Sequence, residues 1–274
     1  MDMNAIETFV LHNEAWFRLG FFAAVFAVMC LWEMAAPRRP LSVGKGLRWV
    51  HNIGLFVFNS LLLRLLFPAA AVGLALAVNE LGWGLFNRIA LPFWLEVAGA
   101  VLLLDLAIYL QHRLMHRVPM LWRLHRVHHA DLDIDLTTGS RFHTLEILFS
   151  MLVKWLVIAA LGPALLAVLI FEILLNSMAV FNHANVRLPP ALDRWLRRLL
   201  ITPDVHRVHH SVIQHETDSN FGFNLSVWDR LFGTYVAQPQ AGHRGMTIGL
   251  NEFRDPMQVE RLPGMLMLPF DKTP

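Results

Sequence analysis

The chain has 274 residues, of which 55% are hydrophobic and only 16% are charged, and its formal net charge is +2. Soluble domains carry about 25% charged residues, so this composition excludes a disordered chain or a coiled coil and disfavours an ordinary soluble enzyme. The lone cysteine, Cys30, excludes an internal disulfide and a thiolate metal cage, and the small net charge predicts no nucleic-acid partner.

Four apolar runs follow one another along the chain, at 16–36, 50–78, 93–110 and 145–182. About 20 apolar residues cross the hydrocarbon core of a bilayer. The first run is too long, and its start too poor in basic residues, for a cleaved leader. The second contains Arg64 and Pro68, which predicts a kinked or partly interfacial helix. The fourth is twice the length of one span and is broken at Gly162 and Pro163, which predicts a tight helical hairpin.

Basic residues predict how these helices are oriented. Arg and Lys are frequent between the first two runs, after the third run and after the hairpin. In residues 79–92, by contrast, the only charged side chains are Glu80 and Arg88. Positive charge collects on the cytoplasmic side of membrane proteins. Five crossings place all the basic segments on that side, and four do so if one half of the hairpin is re-entrant.

Fourteen histidines are concentrated in a few short segments. The groups are His112 and His116; His125, His128 and His129; His183; and His206, His209 and His210. The pentapeptide His-Arg-Val-His-His occurs at 125–129 and again at 206–210. Residues at i, i+3 and i+4 share a helix face, so each group presents its imidazoles together. Nine imidazoles exceed the need of one ion, and two ions are the simplest count, although imidazole suits iron, zinc and copper alike.

Flanking residues predict how the two ligand helices begin and end. Thr202 is a candidate N-cap and Pro203 suits the first helical position before the second pentapeptide. Pro119 is expected to end or bend the helix that carries His112 and His116.

Four further residues are candidates for supporting roles or extra ligation, namely Asp105, Tyr109, His143 and His215. Asp105 and Tyr109 continue the helical stripe of His112, so Asp105 can accept the ring N–H of a ligand histidine. We interpret His143 as structural or supporting rather than as a ligand, and His215 as a loop or substrate-side residue. A packing role is the alternative for His183.

The order of these histidine groups resembles the fatty acid hydroxylase superfamily, also called the sterol desaturase family. Further motifs carry the resemblance, which covers about residues 90–236: Asp105-Leu-Ala-Ile-Tyr-Leu-Gln-His112, Arg141-Phe-His-Thr-Leu-Glu146, Thr217-Asp-Ser-Asn-Phe-Gly222 and Trp228-Asp-Arg-Leu-Phe-Gly-Thr-Tyr235. It implies an O2-dependent membrane oxidoreductase whose nine histidines hold two iron ions, zinc being a substitute in some preparations. Some members carry a further H-x3-H near the hairpin end, where this chain has Ala179. Either nine histidines suffice or His143 completes the centre.

The resulting fold prediction is an all-α integral membrane protein with four or five transmembrane helices and a cytoplasmic, histidine-rich helical cap holding two metals. Its predicted parts are N-terminal membrane helices (1–92), a catalytic domain (93–236) and a cytoplasmic tail (237–274). The resemblance implies a lipid substrate from the bilayer and, since no haem, flavin or dinucleotide motif is present, a separate electron-donor protein. No catalytic group beyond the metal centre is predicted. The C-terminal Asp-Lys-Thr-Pro is no retrieval signal for the endoplasmic reticulum, which favours a bacterial inner membrane.

Other classes of protein also use many histidines. The main alternative is a membrane metal-binding or metal-transport protein without oxygenase activity, but transporter ligands lie near the bilayer midplane. A haem cytochrome needs axial histidines within its spans, and a zinc hydrolase needs about three ligands and a general base. Within the favoured family, hydroxylation is more frequent than desaturation.

Overall fold

The computed structural model describes residues 3–67 and 70–273, and within them the regular secondary structure is helical, with only isolated β-bridges. The helices are α1 (Met3–His12), α2 (Glu14–Ala35), α3 (Lys45–Leu66), α4 (Ala70–Glu80), α5 (Phe93–Arg117), α6 (Pro119–His129), α7 (Thr144–Leu161), α8 (Leu165–His183), α9 (Pro190–Leu196), α10 (Pro203–His209), α11 (Gln214–Thr217), α12 (Val227–Leu231), α13 (Gly242–Gly245), α14 (Pro256–Val259) and α15 (Leu262–Met267). Short 3-10 helices lie at Thr138–Ser140 and Leu268–Phe270.

Five stretches are long and apolar enough to cross a membrane. They are Glu14–Ala35, Lys45–Glu80, Phe93–Arg117, Thr144–Leu161 and Leu165–His183. The second stretch contains α3 and α4, and the kink predicted at Pro68 lies outside the described residues. The predicted all-α, multi-pass membrane fold is therefore confirmed.

The predicted hairpin is confirmed in α7 and α8. α7 ends at Leu161, and its C-cap Gly162 adopts a left-handed φ of 57° and donates its backbone N–H to Ile158 O. A Cβ at this position would lie 2.1 Å from the carbonyl oxygen of Trp83, so both the turn and the neighbouring loop require glycine here. The break in the apolar run is thus also a packing site.

α8 is the central helix of the membrane part. It packs against α2, α4 and α5, and the shared core contains Leu104 and Ile108 of α5 with Val168 and Phe171 of α8. Because α8 ends at His183, this packing fixes where that imidazole leaves the membrane bundle.

A buried polar network attaches the loop after α6 to α3. Arg48 of α3 donates from Nε and Nη2 to the Asp131 carboxylate, at 2.7 and 2.8 Å, and from Nη1 to Asp135 Oδ2 at 2.6 Å. Arg141 donates to Glu260 Oε2 at 2.7 Å, so the same loop also holds the C-terminal segment. All five side chains are fully buried. Burial alone would raise the pKa of Asp131, but Arg48 and Arg141 lower it below its ordinary value.

Candidate metal centre

The histidines lie at helix ends that the sequence sets locally. α5 carries His112 and His116 in its last turns and ends at Arg117, and α6 begins at Pro119, as the proline predicts. The side chain of Thr202 accepts the backbone N–H of Val205 and caps α10, which confirms the predicted start of the second ligand helix.

The structure brings the nine predicted ligands together in two groups. Group A contains His112, His116, His125, His129 and His209, and group B contains His128, His183, His206 and His210. In each group the candidate ligand nitrogens all lie within 4.8 Å of one another. Each pentapeptide therefore contributes to both groups.

The ring nitrogens face one another at short distances. In group A, His112 Nε2 lies 3.1 Å from His125 Nε2 and 3.0 Å from His209 Nε2. In group B, His183 Nε2 lies 3.1 Å from His128 Nε2 and 2.9 Å from His206 Nε2. About 3 Å is the spacing of neighbouring ligands around an ion with bonds of about 2.1 Å.

Outer hydrogen bonds hold five of these rings in one tautomer. The Nδ1–H groups of His112, His209 and His183 donate to backbone oxygens of Phe221, Ser219 and Ala179, at 2.8, 2.7 and 2.7 Å. His125 Nδ1 donates to Glu146 Oε1 at 2.7 Å, and His116 Nδ1 donates to Asp218 Oδ1 at 3.2 Å. Each bond leaves Nε2 with a lone pair directed at its group, which is the usual arrangement of metal-bound histidine.

Several buried ring nitrogens have no hydrogen-bond partner among the described residues. Among the nine histidines they are His116 Nε2 and His129 Nε2 of group A, and both nitrogens of His210, His128 Nδ1 and His206 Nδ1 of group B. Buried polar atoms are nearly always paired, so unpaired nitrogens that lie among the candidate ligands of each group fit a metal ion. The donor set is all imidazole, which suits iron, zinc or copper.

Burial favours the neutral form of five candidate ligands outside the membrane spans. It lowers the pKa of His128, His129, His206 and His210 well below the ordinary value, and that of His209 to about 3. Neighbouring imidazoles lower these pKa values further. Neutral imidazole is the form that binds metal.

Aromatic rings enclose both groups. Phe142 stacks on His128 with ring centroids 4.5 Å apart. Trp122 lies 4.9 Å from His116, and Phe221 lies 5.1 Å from the same ring. These apolar faces exclude water from the ligand nitrogens.

Asp105 and Tyr109 lie outside the two histidine groups, one layer of side chains away. The expectation that Asp105 accepts a histidine N–H is wrong. Asp105 accepts hydrogen bonds from Asn224 Nδ2 and Trp228 Nε1, both at 2.8 Å, instead of a histidine N–H. Two residues that are distant in sequence satisfy this carboxylate, so helical spacing alone could not identify them. The Tyr109 hydroxyl shares a 2.9 Å hydrogen bond with Thr234, and its ring lies against Phe221, which contacts His112.

The other two candidates lie outside both groups. His143 is the N-cap of α7, where its side chain accepts the backbone N–H of Leu145, and its Nε2 lies 3.3 Å from Leu266 O. This position agrees with the structural interpretation and not with His143 as a tenth ligand. His215 is exposed on α11.

Sequence reasoning missed three supporting residues. Glu146 and Asp218 accept the outer N–H groups of His125 and His116, although both belong to motifs that carry the family resemblance. A Cβ on Gly139 would lie 2.3 Å from Ala179 O and 3.2 Å from His183 Nδ1. Glycine thus lets the loop pass beside the bond that orients His183. Hydrogen bonds between distant segments leave no periodic trace in a sequence.

Comparison with known proteins places the chain in a family. The fatty acid hydroxylase family model matches residues 97–234, half of the chain. The chain belongs to the fatty acid hydroxylase family. No solved structure matches it significantly.

Curated relatives hydroxylate or oxygenate lipids according to their names. Alkylglycerol monooxygenase of Xenopus tropicalis is 31% identical over 246 residues, which is 86% of this chain and 51% of the relative. The ornithine lipid hydroxylase OlsE of Rhizobium tropici is 30% identical over 54% of this chain and 44% of its own. Methylsterol monooxygenase 2-2 of Arabidopsis thaliana is 27% identical over 55% of this chain and 58% of its own. The chain spans about half the length of these relatives.

Proposed function

We propose that this protein is a membrane-bound lipid hydroxylase that uses O2 and two iron ions, one held by each histidine group. The observation that carries the proposal is the division of nine buried imidazoles into two convergent groups with unpaired nitrogens. We further propose that the nine histidines are the ligands, that His143 is not one, and that the groups face the cytoplasm of a bacterial inner membrane.

When bound, the iron pair would supply the activation of O2 and the cleavage of one C–H bond of the lipid. The protein holds the ligands ready for that chemistry. Outer hydrogen bonds fix the Nε2 lone pairs of five rings, and Phe142, Phe221 and Trp122 keep water away from the groups. Each hydroxylation consumes O2, two electrons and two protons, and yields one alcohol and one water. A separate protein must supply the electrons.

Glycerol ether lipids are the first substrates to test, because the match to alkylglycerol monooxygenase extends over 86% of the chain, beyond the 97–234 domain. Ornithine lipids come next, from the match to OlsE. Both have a polar head group and long aliphatic chains, so a membrane site can hold the head at the interface while the chain lies in the bilayer.

The test compares lipid extracts of cells that express the parent chain or the His128→Ala variant, together with the iron content of both purified proteins. We expect one lipid class to gain the mass of one oxygen in the parent only, and about two iron ions per parent chain. Loss of two hydrogens would indicate desaturation. Iron without any altered lipid would favour a metal-binding protein, and a parent without iron would refute the proposal.

A further inference from the structure

One exposed face of the cap, by which we mean residues 184–273 after α8, combines large apolar side chains with unpaired cations. α9 and its following turn carry Leu192, Trp195 and Leu199 at helical spacing, with exposed fractions of 40%, 67% and 56%. α12 and its end add Leu231 and Phe232, with exposed fractions of 67% and 40%. We call these five residues, with Arg194 and Arg198, the α9–α12 face.

Backbone contacts join the two halves of the α9–α12 face. Ser226 N donates to Leu199 O at 2.9 Å, and Ile201 N donates to Asn224 O at 3.0 Å. Arg230 Nη2 also donates to Arg197 O at 2.8 Å. The apolar side chains therefore form one surface.

The charge of the α9–α12 face is positive. Asp193, the acidic residue of α9, forms an ion pair with Arg197 and is thereby neutralised. Arg194 and Arg198 are exposed, and no described acidic side chain pairs with either. Exposed Trp and Leu beside unpaired arginine are typical of an element that lies in a membrane interface rather than in water.

The face lies beside a membrane span, because α12 and its flanking residues contact the buried side of α5. Asn224 and Trp228 are both bonded to Asp105, which precedes the end of α5 at Arg117 by twelve residues, or about 18 Å along the helix. Phe232 stacks on Tyr109 of α5 at 5.3 Å. α12 thus lies beside α5 well before the end of that span.

We propose that the α9–α12 face is an interfacial anchor, which inserts its apolar side chains between the lipids of one leaflet while Arg194 and Arg198 bind anionic phosphate head groups. The anchor would hold the cap against the bilayer beside α5, the helix that carries two of the candidate ligands. A soluble protein partner is the competing occupant, but it does not explain why α12 lies beside the membrane span α5.

The experiment places an environment-sensitive fluorophore on Trp195→Cys in a Cys30→Ala chain, reconstituted in vesicles of phosphatidylcholine and phosphatidylglycerol. The matched control is His215→Cys, which is also exposed but lies near Asp218 and hence near His116 at the end of α5. We expect nitroxide-bearing lipid to quench the probe at 195 strongly and aqueous iodide to quench it weakly. The probe at 215 should give the opposite result.

Arg194→Gln combined with Arg198→Gln tests the head-group preference. Each arginine near an anionic surface favours its lipids by about fivefold, so nitroxide phosphatidylglycerol should quench the 195 probe more than nitroxide phosphatidylcholine only when both arginines are present. Iodide access at 195 equal to that at 215 would overturn the anchor and point to a protein partner. Equal quenching by both lipids in the parent would overturn anionic recognition. Neither readout uses iron or activity, so the anchor can fail independently of the proposed hydroxylase.

Discussion

Glu146 decides which nitrogen of His125 faces group A, because its carboxylate accepts the opposite ring N–H at 2.7 Å. Glu146→Ala should weaken iron binding by about ten- to hundredfold, as loss of an outer partner does in other metal sites. The measurement is iron retained per chain after dialysis against a graded series of chelator concentrations.

Glu252→Ala is the matched control, because Glu252 is exposed in the cap. This variant should retain as much iron as the parent. Glu146→Gln keeps an acceptor oxygen and should fall between the two. Retention by Glu146→Ala equal to the parent would show that this bond does not orient His125.

Gly139 makes a second prediction about a single residue. Gly139→Ala would place a methyl group 2.3 Å from Ala179 O, so the loop or the end of α8 must shift and His183 with it. Overpacking of this kind costs about 1–3 kcal/mol. Thermal unfolding should therefore occur at lower temperature, with iron lost from group B.

Gly54→Ala is the control for that variant, because a Cβ at Gly54 meets no atom within 4 Å. In the middle of α3 it should leave stability unchanged or raise it slightly. If the two alanine variants unfold alike, the contact at Gly139 is not restrictive.

Residue by residue, the sequence identified what has a local pattern. Eight of the nine histidines have helical spacing and six lie in a repeated pentapeptide, so their convergence was predictable, whereas their division between the two groups was not. Which partner a side chain chooses across the fold was not, as Asp105 shows, because Asn224 and Trp228 lie more than 100 positions away. The assignment of the nine as metal ligands stays a prediction.

At the scale of the element, the attachment of α3 to the rest of the protein depends strongly on one side chain, Arg48. It connects α3 to the loop after the first pentapeptide through Asp131 and Asp135, all three being fully buried. Arg48→Met would leave two buried carboxylates without their cation, and breaking such a pair costs about 3–5 kcal/mol. We expect lower thermal stability in detergent together with a loss of iron.

Arg244→Met, on the exposed surface of the cap, removes the same charge without disturbing a buried partner. Its unfolding temperature should match that of the parent. An Arg48→Met protein of parental stability would mean that the carboxylates take up protons or other partners at little cost.

Helix boundaries were predictable where the end of an apolar run coincides with a residue that starts or stops helices. Gly162 with Pro163, Thr202 with Pro203, and Pro119 each mark a boundary that the structure contains. The loop 130–143 was not predictable, since its aspartates suggest a solvated segment although Asp131, Asp133 and Asp135 are fully buried. Arg48 of α3 pairs with Asp131 and Asp135, and the backbone N–H groups of Ser42 and Val43, just before α3, donate to Asp133. No local propensity encodes such pairing.

At the scale of the molecule, the buried imidazoles make the metal-free protein sensitive to acid. His128, His129, His206, His209 and His210 have folded pKa values below the ordinary value, that of His209 being about 3. Between the ordinary pKa of about 6.5 and the lower folded pKa of each histidine, the unfolded chain binds more protons than the folded chain. The free energy of unfolding therefore falls as the pH falls. Each group contributes about 1.4 kcal/mol per pH unit within its window.

This dependence is measured by the unfolding temperature of protein that has been stripped of metal with a chelator, from pH 7.5 to pH 4.5. His209→Gln should reduce the slope of stability against pH by the contribution of one proton. Equal slopes for parent and His209→Gln would mean that His209 is already protonated when folded.

The membrane architecture as a whole followed from composition and apolar runs, because hydrocarbon thickness imposes a minimum length that a sequence displays directly. The side of the membrane, the host compartment and the three-part division of the chain stay predictions. The α9–α12 face was not anticipated, since the exposure of Trp195 and Leu231 depends on how the cap folds back onto α5.

The two pentapeptides supply opposite shares, since α6 gives two rings to group A and one to group B, and the second copy gives one to group A and two to group B. If two iron ions bind as proposed, no single stretch of chain can be removed so that only one ion stays bound. An ion bound in either group would also hold in place a helix that supplies ligands to the other group. Titration of the empty protein with ferrous ions should accordingly be sigmoidal, with half-loaded molecules scarce throughout.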